Sequence, residues 1–175
     1  MSLPNVIQGD VQVTGTVSAS AFDLPAGAAK NANFSTAASD RLDAAKIVHQ
    51  FPLRQSQKNG TDVVTETVLV HIARGDGLVA SFQAVADGVP AGTGCDKHVT
   101  VDLQKWNGSA WSSLLTAVIT IDSTKVAKTV YSATLIADPS YEAGQLLRQV
   151  WTASGSVGSQ AQGMCAVAMV QEQPS

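Results

Sequence analysis

Residues 98–111 read His98-Val-Thr-Val-Asp-Leu-Gln-Lys-Trp106-Asn-Gly-Ser-Ala-Trp111, and the fold class follows from them. Val99, Val101 and Leu103 alternate with Thr100, Asp102 and Gln104. Successive side chains of a strand point to opposite faces, so this spacing predicts a strand with one apolar and one polar face. Asn107-Gly108 comes next. Both residue types accept the positive φ of a type I′ turn, which makes the pair a strong hairpin signal. Trp111 to Ile121 is then the returning strand. Trp106 and Trp111 flank the turn, and a hairpin brings them near each other.

Working outward, the same punctuation repeats. Ile47 to Phe51 reads as a strand ended or turned aside by Pro52. Lys58-Asn-Gly60 is a turn signal, and Thr61 to Ala73 a long run rich in β-branched residues. Arg74-Gly-Asp-Gly77 reads as a turn into a strand from Leu78 to Ala86, and Asp87 to Gly94 as a loop. Downstream, Lys125 to Ile136, Gln145 to Ala153 and Gln162 to Gln171 read as strands. Pro139 to Gly144 and Ser154 to Ser159 connect them. Eight or so short strands without a strong helical period predict an all-β, antiparallel β-sandwich over residues 47–175. A jelly-roll-like topology is the best match within that class.

Residues 1–46 have a different character and read as an N-terminal arm and linker. From Asn5 to Leu24 the chain alternates apolar and polar residues, interrupted by Gly9 and Gly15. Val11, Val13 and Val17 can point one way while Gln12, Thr14 and Thr16 point the other. A lone two-faced strand has unpaired N–H and C=O groups and needs a partner to satisfy them. Another copy of the chain, or the surface on which it sits, would supply them, so Val11, Val13, Val17, Phe22 and Leu24 are the candidate contacts with that copy or surface. Pro25-Ala-Gly27 breaks the pattern, and Ser39 or Asp40 can cap a short helix through Leu42 and Lys46.

Only 14% of the 175 residues are charged, against roughly 25% in an average globular protein. So mild a surface predicts that some faces are covered by other chains. Eleven basic residues against fourteen acidic ones leave a net charge of −3, and no two basic residues adjoin. Nucleic acid is therefore not an expected partner, since phosphate binding needs clustered Lys and Arg. No apolar stretch reaches the roughly 18–20 residues of a membrane-spanning helix. With no signal-peptide pattern at the N-terminus, the expectation is a soluble protein made in a cytoplasm.

No catalytic signature is legible: there is no GxSxG, HExxH, phosphate loop or EF-hand pattern. The expectation is no enzyme, no cofactor and no metal. His49, His71 and His98 have no ligand spacing to Cys95 or Cys165, and His71 reads as a structural or surface histidine. The two cysteines read as free thiols. Arg74-Gly75-Asp76 spells an adhesion tripeptide, yet the same residues suit a tight turn. Trp106, Asn107 and Trp111 are a possible loop binding surface. Trp106, Trp111 and Trp151 suggest a sugar-stacking platform, or more simply a clamp on the hairpin or an interface filler.

Two parts of the chain resemble tailed-bacteriophage virion proteins. Gly9-Asp-Val-Gln-Val-Thr-Gly-Thr-Val-Ser-Ala-Ser-Ala-Phe22 looks like the N-terminal attachment segment of fibre and head-decoration proteins. His98 to Gly108, with Leu114 to Asp122 and Tyr141 to Leu146, is similar to small jelly-roll domains of that class. Gln145 stands where an acidic residue would be expected. The resemblance implies a capsid decoration (cement) or head-fibre protein on the outer capsid surface of the virion. Its implied partners are the major capsid protein and itself, as a symmetric oligomer; between dimer and trimer, three arms winding together would favour a homotrimer. The alternative is a fibre-associated module that binds a receptor or glycan.

Overall fold

A computed structural model describes residues 48–174 of the chain. The expectations on the arm, namely its strand at Val11–Val17, Phe22, Leu24 and the short helix capped at Ser39 or Asp40, lie outside the described residues. Ten strands follow in order: β1 (His49–Ser56), β2 (Glu66–Ile72), β3 (Gly75–Val85), β4 (His98–Trp106) and β5 (Trp111–Ser113), then β6 (Ile119–Ile121), β7 (Tyr131–Ser132), β8 (Ser140–Tyr141), β9 (Leu146–Ser154) and β10 (Cys165–Pro174). Among the described residues there is no helix.

The pairing is nested. β1 pairs β10, β2 pairs β9, β3 pairs β7 and β8, and β4 pairs β5 and β6, all antiparallel. Two further pairings, β10 with β3 and β9 with β4, gather these hairpins into two sheets. The first runs β1-β10-β3 and ends on β7 and β8; the second runs β2-β9-β4 and ends on β5 and β6. A long hairpin rolled up so that its nested pairs fall into two sheets is a jelly roll. The β-sandwich read from the sequence is the observed fold.

The two sheets share one core. Phe82, Val79 and Ala168 on the first sheet, with Val101, Leu103, Leu147 and Trp151 on the second, are almost wholly buried in a single apolar cluster. The alternation of β4 is as expected: Val99, Val101 and Leu103 are buried and the residues between them face outward.

Several local expectations are corrected. The hairpin at Asn107 forms, but not through a type I′ turn. Trp106 pairs with Trp111, so the loop has four residues, and of its non-glycine residues none has a positive φ. The Asn107 Oδ1 instead accepts N–H donors from Ser109 and Ala110 at 3.1 and 2.9 Å, so the side chain builds the turn. Asn107→Ala is expected to cost about 1 kcal/mol, read as a fall in Tm with the fold kept. Arg74-Gly-Asp-Gly77 is not a turn, because β3 already starts at Gly75. Gly77 is there for space: a Cβ would lie 2.5 Å from the Tyr141 ring and 2.6 Å from the Gln171 carbonyl oxygen. Pro52 does not end β1; it sits inside this edge strand opposite Met169, where a missing donor is tolerated. The returning strand from Trp111 is split in two, and of Lys125 to Ile136 only Tyr131–Ser132 is strand. Lys128 there has φ 62°, which breaks the extended backbone.

Candidate functional site

The outer face of the second sheet carries the most distinctive surface. Leu147, Gln149 and Trp151 of β9 point into the core, so Leu146, Arg148 and Val150 point out. The register then places Ile72 opposite Leu146, Leu146 opposite Trp106, and Trp106 opposite Trp111. One row of four large apolar side chains thus crosses all the strands at this end of the sheet. Ile72, at the β2 edge, is 60% exposed. The neighbouring row is Leu69, Arg148, Gln104 and Ser113, with Leu69 49% exposed.

Polar contacts hold the aromatic end of this face in place. The Trp106 and Trp111 ring centroids are 5.5 Å apart at 51°, and the Arg148 guanidinium lies 4.0 Å over the Trp111 ring. Arg148 Nε and Nη2 both donate to Gln104 Oε1, at 2.9 and 2.7 Å. Gln104 Nε2 donates to Asp102 Oδ2 at 2.7 Å, and Ser113 Oγ donates to Asp102 Oδ1 at 2.6 Å. A cation over an indole face, fixed by two hydrogen bonds, gives a preorganised contact surface of aromatic and Arg groups. Trp106 and Trp111 therefore come together, as the sequence suggested, with Asn107 in the loop between them, whereas Trp151 is buried in the core between the sheets. Ile72, Leu146 and Arg148 were not singled out by sequence reasoning. Their alternation was visible, but which strands lie side by side was not.

A second cluster joins the sheets at the same end of the sandwich. Glu172 of β10 is 4% exposed, and its Oε2 lies 2.6 Å from His71 Nε2 on β2. Its Oε1 accepts the Arg74 N–H at 3.1 Å. The His71 ring stands edge-on to Phe51 at 5.4 Å and to the buried Tyr141 at 6.0 Å. Burial, and then the Glu172 charge, push the Tyr141 phenol well above its ordinary range and keep it neutral. His71 is therefore a structural histidine with a buried partner, closed to solvent on most sides. Asp76 of the adhesion-like tripeptide lies within β3 and accepts the Ala143 N–H at 3.1 Å, so the tripeptide is not presented at a turn.

The other carboxylates do local structural work. Asp96 Oδ1 accepts N–H groups from Val157 and Ser156 at 2.7 and 2.8 Å, which holds its carboxyl below the usual range. Among the described residues no group of three or more His, Cys, Asp or Glu stands where it can hold a metal ion. Cys95 and Cys165 are both free thiols.

No protein-family model matches the sequence, and no curated protein matches it either. Among solved structures, a chain of "Capsid of Ralstonia phage GP4" is similar at 15% identity and a TM-score of 0.48, over 74% of this chain and 86% of that one. The turnip yellow mosaic virus structure is similar at 10% identity and a TM-score of 0.37, over 73% of this chain and 93% of that one. The desmodium yellow mottle tymovirus structure is similar at 9% identity and a TM-score of 0.39, over 73% and 87%. The jelly roll of the present chain stands on its own strand pairing.

Proposed function

We propose that this chain is a structural virion protein that decorates and stabilises the exterior of a bacteriophage capsid, binding the major capsid protein and associating with itself as a trimer. The observation that carries the reading is the outward-facing apolar row from Ile72 to Trp111, half-buried except at the exposed Ile72. It lies on a charge-poor chain whose N-terminal stretch resembles phage attachment segments. Contiguous apolar faces of this kind mark interaction surfaces. A protein that binds only the assembled shell shifts the equilibrium towards it. Contacts repeated by symmetry then add through effective concentration.

The glycan-binding alternative needs an open aromatic platform at Trp106, Asn107 and Trp111. Arg148 covers one face of Trp111 and Trp106 packs beside it, which favours an interface over a sugar site. The test is co-sedimentation with capsids of the same phage assembled without the protein. The full chain is expected to pellet with them. A chain lacking residues 1–24 is expected to stay in the supernatant while keeping its β-type circular dichroism. Equal pelleting of both would overturn the role of the arm, and no pelleting of either would overturn decoration.

A further inference from the structure

We infer that the open edge of β2 in one copy receives the alternating stretch Val11–Val17 of a second copy as an added strand. The inference deepens the reading above and rests on its assignment of the arm as an assembly element. Three observations converge on this edge.

The first is which edges are unpaired among the described residues. Each sheet has one long edge and one split edge. The split edges are built from β5, β6, β7 and β8, strands of only two or three residues, too short to hold a strand along its length. The long edge of the first sheet is β1, which carries Pro52 in its middle. Proline guards an edge by withholding a donor. β2 runs seven residues, Glu66–Ile72, with neither proline nor lysine. Its one irregularity is the register shift between Leu69 and His71.

The second is the face that an added strand would extend. Leu69 and Ile72 are the outermost members of their rows and are both exposed. A strand laid beside β2 with apolar residues at alternate positions continues those rows and covers both side chains. Val11, Val13 and Val17 have that alternation, and the stretch they span matches β2 in length. Main-chain hydrogen bonds supply the affinity in such strand addition, and alternate side chains supply the register.

The third is where β1 begins. Val48 is the first described residue, and its neighbour His49 pairs with Glu172. Glu172 holds His71, next to Ile72. The start of β1 thus lies at the end of β2 where the apolar row begins. Between Val17 and Val48 the chain reaches about 100 Å at full extension, enough to cross to a neighbouring copy.

The test uses full-length protein with both native cysteines replaced, Cys95→Ser and Cys165→Ser. One tagged population carries Val13→Cys and a second, differently tagged, carries Thr67→Cys. The two are mixed and treated with a short bismaleimide. The expected result is a product joining the two tags. It should fall roughly tenfold or more when the second population also carries Leu69→Lys and Ile72→Lys, which place charges where apolar contacts form. Both lysines replace exposed side chains, and circular dichroism checks that the fold is kept. No product between tags, or coupling only within one chain when both cysteines are on it, would overturn the inference. Co-sedimentation of the cysteine-free protein with capsids separates the two readings. Pelleting without an interchain product overturns the β2 pairing alone; an interchain product without pelleting upholds it and overturns decoration.

Discussion

Trp151→Ala is expected to cost about 3–5 kcal/mol of folding free energy, against the roughly 5–15 kcal/mol that holds a domain of this size together. Trp151 stands in the centre of β9 between Glu66 and Val101 and is fully buried between the sheets. Truncation removes the largest apolar surface in the core and leaves a cavity that a closed sandwich fills poorly. Trp151→Phe is the informative companion. The indole Nε1 is buried without a hydrogen-bond partner, so the smaller ring leaves no acceptor orphaned and relieves a buried donor. Its expected cost is about 1–2 kcal/mol, set by lost volume alone. Urea unfolding measures both, with an unchanged slope showing that the unfolded state is the same. A phenylalanine variant as unstable as the alanine one would mean that the indole N–H holds a bond that matters.

What the sequence shows and what it conceals divide along the pairing of strands. β4 alternates apolar and polar residues because one face lies on the core, whereas β9 mixes the two, with Gln149 inside and Leu146 and Val150 outside; the bounds of both were legible to within a residue or two. The short edge strands were not. Trp111 to Ile121 is uniformly strand-like in composition, yet it breaks after Ser113, where the Ser113 Oγ accepts the Leu115 N–H and turns the backbone. Gly77 looks like a turn residue and is a packing residue, because its reason lies on β8 across the sheet edge. The candidate site was half visible for the same reason. Trp106 and Trp111 are neighbours through a local hairpin, while Ile72, Leu146 and Arg148 join them only through long-range pairing.

Removing Glu172 is the second large effect expected, because its carboxylate ties three elements together. Glu172→Ala removes the buried carboxylate that meets the His71 Nε2 and accepts the Arg74 N–H. A buried group left unpaired costs about 1–3 kcal/mol, so a loss of about 1–3 kcal/mol is expected. Glu172→Gln keeps the shape and an acceptor oxygen, and about 1 kcal/mol is expected. Replacing both ends together, His71→Leu with Glu172→Met, removes the polar pair instead of breaking it, and should recover much of the alanine loss. Chemical denaturation of His71→Leu, Glu172→Met and the double gives the coupling, expected at about 1–3 kcal/mol. Additive losses would mean that the 2.6 Å contact contributes nothing beyond packing. The position of the pair gives the result a consequence beyond stability. It fixes the end of β2 against β10, beside the start of β1. Hydrogen exchange in the Glu172→Ala protein is therefore expected to rise first at Leu69–Ile72, on the edge assigned to receive a neighbouring arm.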